Sequence, residues 1–420
     1  MGPRWLARGT TTSEYLARRG ASPLRSLADA GYRRSPAEVF PTWRIAVQRF
    51  ETIALSLAVF IVSVTNVAAS DQPAIVDGTV RGELAGRLDD HMKKLEAGGF
   101  SGVLLVAKDG GVILAKGYGM ADRDKKVRAT ADTVMCVGSV TKQFTGAAIL
   151  KLEAQGKLKV TDPITRYFKD VPEDKAGITL HQLLTHTAGF GAELGDDYQK
   201  IGRDDFIRLA LQSKLRSKPG ERHRYSNVGY SLLGAVIEVV TGQSYEQYLH
   251  DQLFVPAGMM KTGYLLPKWG PNELAHGYQR DGKDWGTMRD KPWDSDGPYW
   301  HLRANGGILS TAGDMYRWHL ALLGETVLPK SAKDKYFKPH VPEGPVGGSH
   351  YGYGWVIDRT PRGTRVITHN GGNGIFAADC YRFIDEDVFL FTASSVAGKS
   401  CIAASDDLLR IIFPLAEKSK

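Results

Sequence analysis

Ser139 and Lys142 belong to the segment Ser-Val-Thr-Lys, which directly precedes a strongly apolar stretch of the chain. Because residues three apart share one face of a helix, the serine hydroxyl and the lysine amine are expected to be neighbours. A serine hydroxyl becomes a good nucleophile when a nearby base takes its proton. Lysine is such a base only when neutral, which at pH 7 requires burial to lower its pKa by about 3 units. The pair therefore predicts attack on a carbonyl carbon by Ser139, with Lys142 as base.

The S-x-x-K pattern alone is weakly specific, but Ser139 is the only serine in the chain with a lysine three residues later. A nucleophile in the first turn of a helix also has free backbone N–H groups nearby, which stabilise a developing oxyanion. The apolar helix that is predicted to follow would bury Lys142. The position of this segment and its S-x-x-K pattern together favour a catalytic role for Ser139 and Lys142.

Tyr225 and Asn227 form the only Y-x-N pattern of the chain, shortly after a Pro-Gly turn at 219–220. In an extended segment, side chains two residues apart point the same way, so both would face one cleft. A phenol beside Lys142 can pass a proton to a leaving group, and an amide can hold a substrate carbonyl. The alternative is a tyrosine packed beneath a helix start, with Asn227 as the N-cap of a helix from Gly229.

The third element is His369-Asn370-Gly371-Gly372, at the end of a predicted strand. Glycines there let a substrate approach the backbone, and a backbone N–H can complete an oxyanion hole. His350 begins a second H-x-G pattern. We prefer His369 because a strand leads into it and another follows.

The elements that would position these residues alternate between strands and helices. Two apolar runs at 101–120 flank Asp109-Gly110-Gly111, which predicts a β-hairpin. Apolar spacing and glycine punctuation predict helices at 141–158, 179–189, 229–240, 312–324 and about 401–413, and short strands at 353–359, 364–369, 375–383 and 388–394. Strands at both chain ends predict an α/β (α+β) fold, with one mostly antiparallel sheet flanked by helices and a mainly helical insertion at about 160–330. The cleft between the two parts is the expected site.

In this order, S-x-x-K, Y-x-N and H-x-G resemble the serine β-lactamase and D-alanyl-D-alanine carboxypeptidase superfamily, and most of all its class C β-lactamase-like branch. The resemblance spans about 85–415. It includes the phrases ITLHQLLTHTAGF at 178–190, GGILSTAGDMYRW at 306–318 and YGYGW at 351–355. The fold of that family is similar to the architecture predicted above.

The resemblance implies a role for each matching residue. Ser139 would be acylated, with Lys142 as its base and Tyr225 as a second acid or base. Asn227 would bind the substrate amide, and His369 and Gly371 would line the opposite wall. The backbone N–H groups of Ser139 and Gly372 would form the oxyanion hole.

One departure from the family pattern bears on the substrate. Efficient class C β-lactamases have Lys-Thr-Gly where this chain has His369-Asn370-Gly371, and histidine is largely neutral at pH 7. We therefore expect hydrolysis of esters, D-amino-acid amides or peptides, or lactams through an acyl-enzyme. The alternatives are a β-lactamase proper and a penicillin-binding sensor or scaffold without turnover. No metal or organic cofactor is implied, and the expected partner is a small-molecule or peptide substrate.

The first 70 residues read as a leader outside the fold, and residues 71–420 as the hydrolase domain. Residues 1–51 contribute +5 of the net charge of +8, so the body has no basic stripe for nucleic acid. The uncharged stretch Thr52–Ser70 has the layout of a secretory signal, which predicts an exported, periplasmic or secreted protein. An uncleaved membrane anchor is the alternative. A start-site error and an organelle transit peptide also remain open for the residues before it.

Three cysteines, Cys136, Cys380 and Cys401, give no disulfide framework. Buried free thiols are favoured over a Cys380–Cys401 bridge. His181 and His186 lie five apart, which does not place them on one helical face for a metal. Aromatic residues at 285, 293, 299 and 300 are candidates for a pocket wall, with core packing as the alternative.

Overall fold

A nine-stranded antiparallel sheet joins the beginning and the end of the chain in the computed structural model, which describes residues 75–344 and 348–414. Its strand order is β1-β3-β2-β17-β16-β15-β14-β13-β12. These strands are β1 (Thr79–Val80), β2 (Gly102–Lys108), β3 (Gly111–Tyr118), β12 (Val341–Pro342), β13 (His350–Tyr351), β14 (Val356–Arg359), β15 (Arg365–Gly372), β16 (Ala377–Phe383) and β17 (Val388–Ser394). The antiparallel pairing of β2 with β17 joins the strands from the beginning of the chain to those from its end. The predicted fold class is therefore confirmed.

Short two-stranded ribbons and helices make up the other elements. The remaining strands are β4 (Met120–Asp122), β5 (Val127–Arg128), β6 (Met135–Cys136), β7 (Gly277–Tyr278), β8 (Asp284–Gly286), β9 (Trp293–Asp294), β10 (Gly297–Pro298) and β11 (Leu309–Ser310). The α-helices are α1 (Gly82–Ala97), α2 (Thr141–Ala154), α3 (Glu173–Ala176), α4 (Leu180–Leu184), α5 (Arg203–Gln212), α6 (Asn227–Thr241), α7 (Tyr245–Leu249), α8 (Ala312–Leu323), α9 (Lys330–Tyr336) and α10 (Cys401–Ile412).

Helices cover both faces of the large sheet, which explains the continuous apolar sequence of its central strands. One face packs with α1 and α10 around Leu104 and Leu390. The other packs with α2 and α8 around Leu105 and Phe391, and this second core continues into the helical part of the chain. The sheet therefore separates two apolar layers.

The turn between β2 and β3 shows how local sequence sets the register. Asp109 and Gly110 both have positive φ values, 52° and 76°, as a two-residue type I′ turn requires. Seven residue pairs then align β2 with β3. The predicted hairpin is confirmed.

Helix α2 is buried between the sheet and the helical part of the chain. Every residue from Thr141 to Leu150 is buried, which leaves no polar face toward water. The helix ends at Ala154, because Gly156 with a φ of 71° breaks it. Lys142 therefore lies inside the molecule from the first turn of this helix.

One prediction about the middle of the chain needs correction. The helix expected over 179–189 covers only Leu180–Leu184, and His186 has a left-handed φ of 57°. Segment 277–298, within the mainly helical region, folds into two short hairpins, β7–β8 and β9–β10.

The three cysteines are free and buried, as predicted. Cys380 belongs to the core on the α2 side of the sheet and Cys401 to the core on the α10 side, so a bridge between them is excluded. The predicted leader at 1–70 lies outside the described residues. In the part of the chain that is described, no helix is long and apolar enough to cross a membrane.

Candidate active site

Ser139 lies in a short 3-10 turn, Gly138–Val140, that leads directly into α2. The turn follows β6, and Val137 donates its backbone N–H to the carbonyl of Ile308 at 3.0 Å. Ser139 is partly exposed, whereas its neighbours Gly138 and Val140 are buried. Ser139 is therefore partly open to solvent while the backbone on either side of it is buried.

Three groups surround the Lys142 amine. Nζ lies 3.1 Å from Ser139 Oγ, 2.8 Å from Asn227 Oδ1 and 2.8 Å from the backbone carbonyl of Asn305. The amide oxygen and the carbonyl can only accept hydrogen bonds. A neutral amine has two hydrogens for these acceptors and one lone pair left for the Ser139 O–H. The contacts therefore match the arrangement in which Lys142 accepts the serine proton.

Burial is the main reason why this amine can be neutral. Lys142 is completely buried, and desolvation lowers its pKa well below the ordinary lysine value. The negative charges of Asp197 and Glu193 offset part of that shift. Lys142 Nζ also lies 4.7 Å from the centre of the Tyr225 ring, a contact that by itself would favour the charged form, so the loss of hydration is the effect that decides. The environment thus favours the base form of Lys142.

Tyr225 lies beside this pair on the extended segment before α6. Burial raises the pKa of its phenol, and the Ser139 side chain partly offsets that shift. The phenol therefore keeps its proton at neutral pH. Its ring packs on that of His186, with the ring centres 4.4 Å apart.

The sequence-based alternative for Asn227 does not hold in the structure. Ser226, not Asn227, caps α6, because its hydroxyl accepts the N–H of Gly229 at 3.2 Å. Ser226 has extended dihedral angles, φ −144° and ψ 114°, so Tyr225 and Asn227 point the same way. Asn227 is thereby free to bind Lys142.

Asn305 is the neighbour of Lys142 that sequence reasoning missed. Its side-chain amide donates to Ser231 Oγ at 2.9 Å and to the carbonyl of His301 at 2.8 Å, which fixes the loop. Thr145, one turn along α2 from Thr141, donates to the carbonyl of Ala304 at 2.6 Å. The group that contacts Lys142 is the backbone carbonyl of Asn305, so no pattern of side chains could have predicted it. The sequence feature closest to it is the family-like phrase that begins at residue 306.

The backbone of β15 lies directly against the serine turn. A Cβ at Gly371 would lie 2.2 Å from the carbonyl oxygen of Val137 and 2.5 Å from the nitrogen of Ser139. A Cβ at Gly138 would lie 2.4 Å from the nitrogen of Gly372. Only glycines permit this close approach of the two backbones. It places the N–H groups of Ser139 and Gly372 near each other, at the position expected for the oxyanion hole.

His369 lies on the same face of β15 as Gly371, because residues two apart in a strand share a face. Its Nδ1 lies 2.6 Å from the carbonyl of Asn370, so Nδ1 must carry the proton. Nε2 then accepts from the Tyr351 hydroxyl at 2.9 Å. Burial and the nearby Lys142 lower the His369 pKa to about 3. The imidazole is a neutral, hydrogen-bonded part of the wall.

The structure thus brings Ser139, Lys142, Tyr225 and Asn227 together and places the Gly371–Gly372 backbone beside them. His369 lies on the same face of β15 as Gly371, and its ring centre is 6.4 Å from that of Tyr225. His181 is engaged elsewhere, with Nδ1 2.8 Å from the Tyr353 hydroxyl. Among the residues described, no group of three or more metal-binding side chains occurs.

Comparison with known proteins identifies the family. The Beta-lactamase family model matches residues 87–399, which is most of the chain. The chain belongs to the beta-lactamase family. Members of this fold family include penicillin-binding proteins and D-amino acid amidases.

This beta-lactamase family member is similar to a penicillin-binding protein of Bacillus subtilis (strain 168), 27% identical over 301 residues, covering 68% of this chain and 66% of the relative. The chain spans 66% or less of the length of the first curated relatives it matches.

Solved structures give the same fold. An octameric penicillin-binding protein homologue from Pyrococcus abyssi has a TM-score of 0.67 and 27% identity, covering 78% of this chain and 77% of that one. A D-amino acid amidase from Ochrobactrum anthropi SV3 has a TM-score of 0.66 and 23% identity, covering 79% of this chain and 99% of that one. At that identity the second likeness concerns the fold alone.

Proposed function

We propose that this protein is an exported serine hydrolase that forms an acyl-enzyme on Ser139 and releases it with water. The observation that carries the proposal is the Lys142 amine, buried and bonded to two acceptors, with Ser139 Oγ as its third neighbour at 3.1 Å. That geometry suits a base next to its nucleophile.

The reaction follows from the positions of these groups. The Ser139 hydroxyl gives its proton to Lys142 as its oxygen bonds to the substrate carbonyl carbon. The Ser139 and Gly372 N–H groups stabilise the resulting oxyanion. Tyr225, which remains protonated because burial raises its pKa, donates a proton to the leaving group, and the carbon–leaving-group bond breaks. Lys142 then passes its proton to the Tyr225 phenolate. Water attacks the carbonyl carbon of the ester while Lys142 takes a proton from it, the bond to Ser139 Oγ breaks, and Lys142 returns that proton to Ser139.

The neutral His369 favours esters and amino-acid amides over β-lactams as substrates. A cationic side chain at that position would bind the carboxylate of a β-lactam, but His369 has a pKa of about 3 and both ring nitrogens engaged. β-Lactamase activity is the second candidate.

The test compares the wild-type protein with Ser139→Ala. Both are incubated with a fluorophosphonate probe, p-nitrophenyl acetate, D-phenylalanine amide and a chromogenic cephalosporin. We expect labelling and turnover of ester or amide by the wild type only, with slower cephalosporin hydrolysis. Labelling without any turnover would identify a penicillin-binding sensor, and equal rates for both proteins would refute the proposal.

A further inference from the structure

The turn that follows Gly372 links the proposed oxyanion hole to a group of apolar side chains. Asn373 is the first residue of that turn, and its Oδ1 accepts the N–H groups of Ile375 at 3.1 Å and Phe376 at 2.8 Å. Its own N–H donates to the carbonyl of Phe376 at 3.1 Å. Asn373 thus holds the turn between β15 and β16 in one conformation.

The amide of Asn373 points to two residues from other parts of the chain. Nδ2 lies 3.4 Å from the Tyr198 hydroxyl and 3.6 Å from the sulfur of Met288. The Tyr198 hydroxyl itself lies 3.9 Å from that sulfur. Segments near 198 and 288 therefore meet at the residue next to Gly372.

Trp285 completes this group, which we name the aromatic wall: Tyr198, Trp285, Met288 and Phe376. The Trp285 ring centre is 6.1 Å from that of Tyr198 and 5.9 Å from that of Phe376, the latter edge to face. Met288 and Phe376 are buried, whereas Tyr198 and Trp285 are only partly buried. Two aromatic rings therefore remain accessible on a fixed support.

The four aromatic residues that the sequence suggested as a pocket wall separate in the structure. Trp300 and Tyr299 are buried, and Trp293 packs on Tyr264 with ring centres 5.9 Å apart. Only Trp285 contacts the turn after Gly372. Its ring also has the Lys291 ammonium 3.4 Å from its centre, so one face is already covered.

We infer that the aromatic wall is an acyl-group subsite that selects substrates with an aryl group near the reacting carbonyl, and this inference rests on the proposed hydrolysis at Ser139. The wall is continuous with the oxyanion corner through Asn373. An acyl group whose carbonyl oxygen lies between the Ser139 and Gly372 N–H groups extends toward Tyr198 and Trp285. Aryl groups gain there because partly exposed aromatic rings bury apolar surface and pair edge to face.

The experiment measures kcat/KM for p-nitrophenyl acetate, 3-cyclohexylpropionate and 3-phenylpropionate. In the wild type, we expect the phenylpropionate to be the best substrate of the three. Trp285→Ala should lower the ratio of phenylpropionate to acetate by about tenfold, and Trp285→Phe should restore most of it. Trp293→Ala is the matched control. It also removes a tryptophan ring, but Trp293 packs on Tyr264 outside the aromatic wall, so this variant should leave the ratio unchanged.

Each outcome separates this inference from the proposed function. If Ser139 is labelled and acetate is hydrolysed but the wild type shows no aryl preference, the subsite is refuted and the hydrolase remains. An equal fall of the ratio in the Trp285→Ala and Trp293→Ala variants would also refute it, because packing would then explain both. Absence of turnover with every ester would refute the proposed function itself. The wild-type comparison keeps the test valid even if a variant fails to fold.

Discussion

The Lys142 amine is buried, whereas the amine of an ordinary lysine is charged and exposed to water. It is completely buried, and its contacts in the described residues at hydrogen-bonding distance are with Ser139, Asn227 and Asn305. Charged amines in such places are costly, because water is replaced by too few compensating dipoles. The neutral form avoids this cost and is the form that can remove the Ser139 proton.

The pH dependence of the reaction should report this state. The lowered pKa of Lys142 means that its base form exists above that pKa and is lost as the pH falls through it. We expect kcat/KM for p-nitrophenyl acetate to rise with pH through this value and to reach its plateau well below pH 10. A rising limb centred near 10, the ordinary lysine value, would contradict the assignment.

Two variants separate Lys142 from its neighbour His369. Lys142→Arg keeps a charged guanidinium at every accessible pH, so we expect kcat/KM to fall by about 10³ or more. His369→Gln is the control, because a pKa of about 3 makes His369 neutral over the whole profile. In this variant we expect the rising limb of kcat/KM to keep its pH midpoint, even if kcat/KM itself changes.

At the scale of elements, the site depends on β15 lying against the serine turn. Gly371→Ala places a Cβ within 2.5 Å of both the Val137 carbonyl oxygen and the Ser139 nitrogen, which forces the strand and the turn apart. We expect kcat to fall by about 10² or more, as for loss of an oxyanion-hole donor. Stopped-flow acylation by p-nitrophenyl acetate measures this effect, alongside the free energy of unfolding.

A matched control for this change exists in α1. A Cβ at Gly86 would meet no atom within 4 Å, and alanine favours the helix interior by about 1 kcal/mol over glycine. Gly86→Ala should therefore raise the free energy of unfolding and leave kcat unchanged. An undiminished kcat in Gly371→Ala would show that the close approach of β15 to Ser139 is not needed.

Much of this arrangement could be predicted from sequence, because it depends on local signals. The Asp109-Gly110 turn set a hairpin, and Gly242, with a φ of 69°, ends α6 where the pattern placed it. The contact of Lys142 with the Asn305 carbonyl could not be predicted, since it is a backbone group 163 residues away. The Tyr351–His369 bond likewise depends on the register of β13, β14 and β15.

At the scale of the whole molecule, the large sheet is the support for the site and α10 covers its far face. Asp379 of β16 lies between the sheet and α10, 1% exposed, and its Oδ2 has no hydrogen-bond partner in the described part of the chain. Burial raises the pKa of this carboxyl to about 7, with hydrogen bonds from Ser405 and Tyr381 as smaller opposing effects. Asp379 thus carries its proton in the folded protein at mildly acidic pH.

Folding stability should therefore change with pH through Asp379. In the unfolded chain a carboxyl loses its proton near pH 4, whereas in the folded protein Asp379 loses it only near 7. The folded state binds more protons between these values, so stability falls as the pH rises from about 4 to 7. Asp379→Asn does not titrate, and its stability relative to the wild type should increase over this range by about 4 kcal/mol at most.

Urea denaturation of both proteins at pH 4 and pH 8 measures this difference. Asp90→Asn is the control, because the side chain of Asp90 is 70% exposed on α1 and its loss should leave the difference from the wild type nearly constant. Parallel stability curves for the wild type and Asp379→Asn would show that Asp379 does not titrate between these pH values. A relative gain confined to Asp379→Asn would show that the packing of α10 on the sheet, on the face opposite Ser139, is coupled to protonation.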